Sequence, residues 1–201
     1  MKLPSKLLAI DTATKSIYLA LIIDGTVIER IYQEGMSNHS VTIMPLINQM
    51  LQNHQMDLKM IEGILIGIGP GSYTGVRIGV AIAKMIGYLN GVPLFKCSSL
   101  ALLASASNSE FVAPMIDARR GNAFTASLRQ VDGVLTYEVY DTLMNVEVFR
   151  HTLSFVHDEI SEGMPDIVKL INSGLFDLVD DVHALVPNYL QITEAERNKA
   201  L

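Results

Sequence analysis

The sequence predicts an α/β protein of two related lobes, each opening with a meander of antiparallel strands, and three observations carry that prediction. Short apolar runs of strand length alternate with longer apolar runs of helical period along the first half. Asp24-Gly25 and Asp132-Gly133 each separate two alternating segments, the pattern of a tight hairpin whose central residues need positive φ. The order strand, Ile-Asp turn, strand, Asp-Gly turn, strand then occurs twice. Ile116-Asp117-Ala118 answers Ile10-Asp11-Thr12, Phe124 answers Tyr18, and Ala126 answers Ala20, at nearly constant spacing.

The elements follow in order. Residues 7–10, 17–23 and 27–32 form the first meander, and a helix runs from about His39 to Gln52. A buried strand at 63–68 leads into Gly69-Pro70-Gly71-Ser72-Tyr73-Thr74-Gly75, which opens a helix from about Thr74 to Asn90. Gly91-Val92-Pro93 ends that helix, 94–96 is a short strand, and Ser98-Ser99 caps a helix at 100–106. The small polar stretch Ser105-Ala106-Ser107-Asn108-Ser109 reads as a linker before the second copy. Beyond the second meander, 143–157 and 165–178 are expected as helices, Pro187-Asn188-Tyr189-Leu190 as an extended segment, and Thr193 as the N-cap of a last helix. The domain expectation is a first lobe at 1–106, a shortened second lobe at 107–190, and a C-terminal helix at 191–201 packed back on the first lobe.

Composition narrows the function classes. The 201 residues are 49% apolar and carry a formal charge of −6, which opposes broad electrostatic attraction to nucleic acid and leaves room only for a local basic patch. Cys97 is the single cysteine, so the chain forms no internal disulfide and no cysteine zinc site. The N-terminal residues lack a signal-peptide apolar region, and Arg77 and Lys84 interrupt the most apolar helix; a cytoplasmic protein with no membrane contact is expected.

The glycine-rich run reads either as an anion cradle, with backbone N–H groups at a helix mouth, or as a joint for close packing of helix on sheet. It matches neither a Walker A loop, since Val76 follows Gly75 where a lysine is needed, nor a dinucleotide G-x-G-x-x-G. His39, His54, His151, His157 and His183 show no H-E-x-x-H spacing, and no G-x-S-x-G frames a serine, so peptidase chemistry has little support. Asp11 and Asp117 sit at strand ends, where a metal-bound phosphate would want carboxylates, or where plain Asx turns would place them. Duplicated meanders facing each other across a cleft, with Asp turns gripping phosphate, are the plan of the actin-like (ASKHA, ribonuclease H-like) fold, with mixed sheets flanked by helices.

The two helices of the first lobe carry more apolar residues than one buried stripe needs. Gly75, Gly79, Ala83 and Gly87 recur every fourth residue, while Val76, Ile78, Val80, Ile82, Met85, Ile86 and Leu89 cover most of the remaining surface. The helix from His39 has Ile43, Leu46, Ile47 and Met50 in similar excess. A partner surface of His39, Ile43, Leu46, Ile47, Met50, Gly75, Val76, Gly79, Ile82, Ala83 and Ile86 is therefore expected. Bulk at Gly79 or Ala83 is expected to block association without unfolding the lobe.

Leu8-Ala9-Ile10-Asp11-Thr12-Ala13-Thr14, His39-Ser40 with Pro45, Gly69 to Gly79, Ile116-Asp117-Ala118-Arg119-Arg120-Gly121, and Pro187-Asn188-Tyr189-Leu190 with Glu194-Ala195-Glu196 closely resemble the TsaB (YeaZ) family. That resemblance implies an accessory subunit, without catalysis of its own, of the machinery that makes threonylcarbamoyladenosine in tRNAs reading ANN codons. It implies a homodimer of the isolated chain, a heterodimer with a catalytic TsaD-like paralogue through the two first-lobe helices, an ATPase of the TsaE type joining that pair, and tRNA reached only through the complex. The paralogue's metal-binding H-x-x-x-H appears here as His39 with Ile43. No cofactor is expected on the chain alone, with ATP or ADP at the subunit junction and vestigial phosphate contacts from Asp11, Thr12, Gly69, Gly71 and Ser72. The second lobe is short for the family, and Ser173-Gly174 is all that remains of a glycine-rich adenosine loop. The competing reading is an actin-like ATP-dependent enzyme using Asp11 and Asp117 around Mg²⁺.

Overall fold

The computed structural model describes residues 3–34 and 39–190, and each of the two expected meanders forms one side of a sheet. Strands β1 (Lys6–Asp11), β2 (Ser16–Ile23) and β3 (Thr26–Glu34) pair antiparallel, and β4 (Gly63–Gly67) and β5 (Leu94–Cys97) extend the sheet in parallel on the other side of β1. Helix α1 (His39–Asn53) and a 3-10 turn at Leu58–Met60 separate β3 from β4, α2 (Tyr73–Asn90) separates β4 from β5, and α3 (Ser99–Ala104) follows.

The second lobe repeats this plan in reduced form. Strands β6 (Phe111–Asp117), β7 (Asn122–Val131) and β8 (Val134–Asn145) form its meander, α4 (Val146–Thr152) crosses over, and β9 (Asp158–Ile160) pairs parallel with β6. The order β8-β7-β6-β9 matches the order β3-β2-β1-β4, with β9 in the role of β4. Within the described residues, the second sheet ends there, with no counterpart of β5.

Strand β1 has apolar side chains on both faces, which places it in the middle of the molecule. Leu8 and Ile10 join Leu19, Leu21, Ile64 and Ile66 under α1 and α2, while Leu7 and Ala9 join Tyr18, Ala20 and Leu65 on the opposite side. The second of these clusters also contains Phe124, Ala126, Leu128 and Leu135 of the other sheet. The two lobes therefore share one core.

Three expectations need correction. The helix expected at 143–157 is α4 alone, because Leu143 and Met144 pair with Phe124 and Ala123 to lengthen β8, and the Asn145 side chain caps the helix only at Glu147 and Val148. The helix expected at 165–178 is α5 (Ile167–Asn172), capped by Asp166 and ended at Ser173-Gly174 with Gly174 at φ +67°. The chain then leaves the second lobe: β10 (Asp177–Leu178) pairs with β5 in the first sheet, and Leu185 is buried in the cluster under α2. The first lobe thus includes residues 177–190 as well as the run before the linker. The C-terminal helix expected at 191–201 lies outside the described residues.

The linker is pinned. Lys169 donates to Ser107 O (2.6 Å) and Asn108 Oδ1 (3.2 Å), and the Ser107 hydroxyl donates to Asp158 Oδ2 (2.6 Å). Because the core spans both sheets, Leu128→Ala is expected to cost about 2–5 kcal/mol and to leave one cooperative transition. Urea unfolding followed by far-ultraviolet dichroism and by tyrosine fluorescence checks this; two separated transitions would show independent lobes.

Candidate functional site

The glycine run is built around the segment Asp11-Thr12-Ala13 at the end of β1. A Cβ at Gly67 would lie 1.8 Å from Asp11 Oδ2, at Gly71 2.4 Å from Ala13 O, at Gly75 2.1 Å from Thr12 O, and at Gly79 2.4 Å from Thr12 Oγ1. These four positions lack side chains because the chain's own backbone and carboxylate fill the space. Gly69, at φ +93°, adopts a conformation that favours glycine, and its peptide with Pro70 is cis.

Hydrogen bonds close the same joint. Ser72 N–H donates to Ala13 O (2.7 Å), Gly69 N–H to Ser99 Oγ (2.9 Å), and Ile68 N–H to Cys97 O (3.0 Å). The Thr12 hydroxyl donates to Gly75 O (2.7 Å), and Ser72 caps α2 by accepting from Gly75 N–H. The Thr12 hydroxyl, the N–H groups of Gly69 and Ser72 and the Ser72 hydroxyl are thus all bonded within the chain. Gly71 lies against Ala13 and serves the packing of the loop.

Asp11 is buried and accepts from Ala13 N–H (3.0 Å) and from the Ser99 hydroxyl. Burial pushes its carboxyl above the ordinary range, against the lowering effect of those two hydrogen bonds. Asp117 is exposed, with Oδ1 accepting from Arg119 N–H (2.8 Å), an Asx turn. The two carboxylates thus occupy unlike settings, and among the described residues no group of three or more His, Cys, Asp or Glu is arranged to hold a metal ion.

Between the lobes remains a crevice lined by Asp11, Thr14, Tyr18, Tyr32, Ser99 and the segment around Gly163, with room for about one water. Gly163 N–H donates to Tyr32 Oη (3.1 Å), and Lys15 pairs with Glu162 across its mouth.

The expected partner surface is partly internal. Ile43, Ile47, Met50, Val76, Ala83 and Ile86 are buried in the chain's own core, and Gly75 and Gly79 abut Thr12; the small-residue stripe serves the packing of α2 on its own sheet. Bulk at Gly79 or Ala83 would therefore strain the lobe itself. Of the expected set, Leu46 and Ile82 keep partial exposure, and the side chain of His39 lies outside the described residues. One flank of α2 exposes Ala81, Met85 and Leu89, the last at 73%, beside the half-buried Ile78 and Ile82, which also pack against the core under the helix. Placing the Gly75 stripe against the sheet and turning α2 by the helical period would have located this flank in the sequence.

The returning chain runs along the other flank, where Tyr73, Arg77 and Tyr88 stay exposed. Lys84 donates to His183 O (2.9 Å) and Leu185 O (3.0 Å), Arg77 Nε donates to Tyr189 Oη (2.6 Å), and the Arg77 guanidinium lies 3.9 Å from the Tyr73 ring centroid. Asn188 N–H donates to Ile68 O (2.7 Å), tying this strap to the glycine loop.

The raised Asp11 pKa fixes a sign. Between its unfolded and folded values the native state binds the extra proton, so this residue's contribution to stability declines as pH rises from the ordinary carboxylate value upward. Asp11→Asn, which still accepts from Ala13 N–H and pairs with Ser99, is expected to flatten that decline. Urea midpoints measured from about pH 4 to neutrality check this, and an unchanged slope would refute it.

Comparison with known proteins agrees with this architecture. The family model described as "TsaD: tRNA N6-adenosine threonylcarbamoyltransferase" matches residues 28–191. The chain is 32% identical to the tRNA threonylcarbamoyladenosine biosynthesis protein TsaB of Bacillus subtilis, across 94% of this chain and 96% of that one. It is 30% identical to the Escherichia coli protein of the same name, across 90% and 81%. YeaZ from Pseudomonas aeruginosa superposes with a TM-score of 0.77 at 21% identity, covering 93% of this chain and all of that one, and shares the actin-like two-lobe fold. With matching sequence over nearly its whole length and the same duplicated sheets, the chain belongs to the TsaB (YeaZ) family.

Proposed function

We propose that the chain is a non-catalytic subunit in the synthesis of threonylcarbamoyladenosine on tRNA, acting by binding and activating a TsaD-like catalytic paralogue. The observation that carries this reading is the apolar flank of α2, exposed at Ala81, Met85 and Leu89 beside the half-buried Ile78 and Ile82, on a helix seated through a glycine joint. An apolar flank of this kind on a helix is the type of surface that a partner covers. The names of the relatives supply the pathway.

In this reading the isolated chain pairs with itself through α2, the paralogue replaces the second copy, and a TsaE-like ATPase joins the pair. ATP or ADP is held at the subunit junction and tRNA is handled by the complex. An actin-like ATPase using Asp11 and Asp117 remains the competing function; ATP turnover by the purified chain, lost in Asp11→Asn, would favour it.

Met85→Glu places a charge in the exposed flank without touching the core, so its effect on monomer stability is expected to stay within about 0.5 kcal/mol. Co-expression of the chain with the TsaD-like paralogue, followed by affinity capture, should recover the pair for wild type and lose it for Met85→Glu. Retention of the pair by a folded Met85→Glu variant would overturn the assignment of this surface.

A further inference from the structure

Among the described residues, three of the four connections between meander strands contain left-handed non-glycine residues, and one of these turns is built from unexpected ones. At β2–β3 the left-handed positions are Asp24 (φ +49°) and Gly25 (φ +77°), and at β7–β8 they are Asp132 (φ +51°) and Gly133 (φ +77°). Both pairs suit that conformation: glycine has no Cβ, and a short polar side chain gains local hydrogen bonds there. At β6–β7 the left-handed run is Arg119 (φ +68°), Arg120 (φ +56°) and Gly121 (φ +75°). Two successive long side chains bear the steric penalty without that relief.

Nothing inside the fold uses the two guanidiniums. Arg129 is paired with Glu110, and Arg150 with Glu147 and Glu159, whereas Arg119 and Arg120 are exposed and form no ion pair or side-chain hydrogen bond among the described residues. Their backbone is nonetheless fixed. Arg119 N–H donates to Asp117 Oδ1 (2.8 Å), Asn122 N–H to Arg119 O (3.1 Å), and Ala118 N–H to Asn122 O (3.0 Å). Gly121 O accepts from Asn145 Nδ2 (3.1 Å) and Val146 N–H (3.0 Å). The result is a rigid, solvent-exposed tip with two adjacent cations on a chain of net charge −6.

We propose that the Arg119–Arg120 tip is a direct contact for neighbouring phosphates of the RNA backbone. The surroundings favour phosphate over a protein face. Asp117, Gly121, Asn145 and Glu147 are all exposed, so the tip lacks the apolar, water-excluding rim that gives a charged protein contact its strength. Arginine forks bind phosphate in water without such a rim, and the two carboxylates beside the tip are engaged, Asp117 by Arg119 N–H and Glu147 by the Arg150 guanidinium. The choice of RNA rests on the proposed role in tRNA modification; the cationic tip does not.

The test is a salt titration of tRNA binding to the chain co-purified with its TsaD-like paralogue, wild type against the double variant Arg119→Asn with Arg120→Asn. Asparagine tolerates the left-handed region, so the variant is expected to melt at or above the wild-type temperature, which separates loss of contact from loss of fold. Two phosphate contacts account for about a tenfold loss of affinity between ~50 and ~200 mM salt, and the variant is expected to lack that component. A wild-type salt slope in the variant overturns the proposal. So does a variant that keeps the slope but no longer holds the paralogue, which would assign the tip to an acidic protein face. If wild type fails to retain the paralogue, the proposed function fails separately, and the titration is read on the chain alone: tRNA binding weakened by the variant sustains the proposal, and no binding by wild type overturns it.

Discussion

The close approach of α2 and its leading loop to Asp11-Thr12-Ala13 is the constraint on which the rest of the structure depends. A helix packed through glycine lies nearer its sheet than one packed through larger side chains, and here Thr12 occupies the space beside both Gly75 and Gly79. That position sets the height of α2 over β1 and β4, and with it the depth to which Val76, Val80, Ala83 and Ile86 enter the core. The same approach engages the polar groups at the strand ends. The loop that reads in the sequence as an anion cradle or a packing joint is here bonded to the end of the chain's own first strand.

The second lobe shows the complementary economy. It has the meander, the crossover helix and one parallel strand, which is the least that lets β6 be paired on both sides, and no strand beyond β9 among the described residues. Phe124, Ala126 and Leu128 then have too little of their own lobe to cover them and are buried against the first sheet. Closure of the lobes on one another keeps that core covered, and Lys15 and Tyr32 make contacts across the crevice left between them.

Much of this was legible in the sequence. The meanders follow from period-two alternation and Asp-Gly turns, the helices of the first lobe from period and caps, and the duplication from the order of turn residues. Elements decided by long-range pairing were not legible: Leu143 and Met144 have apolar spacing that suits a helix, and only the register against β7 makes them strand. Likewise Asp177 and Leu178 carry no local sign that their partner is β5. At the candidate site, the glycine run and its close packing were visible, but whether the packed neighbour was the chain itself or another molecule was not. Gly79 and Ala83 look the same in sequence whichever backbone they approach, while Met85 and Leu89 reveal their exposure only after the buried side of the helix is known.

The return of the chain to its first sheet has a consequence for how the molecule is made. Residues 177–190 supply the edge strand beside β5, the buried Leu185 and the strap along α2, so the second lobe is in effect an insertion within the first. During synthesis from the N-terminus, the first lobe cannot be completed when its own opening strands and helices have emerged. It waits for the whole second lobe to leave the ribosome, and until then the flank of β5 and one side of α2 remain bare. A partner that met the nascent chain in this interval would find a wider apolar surface than the finished protein presents.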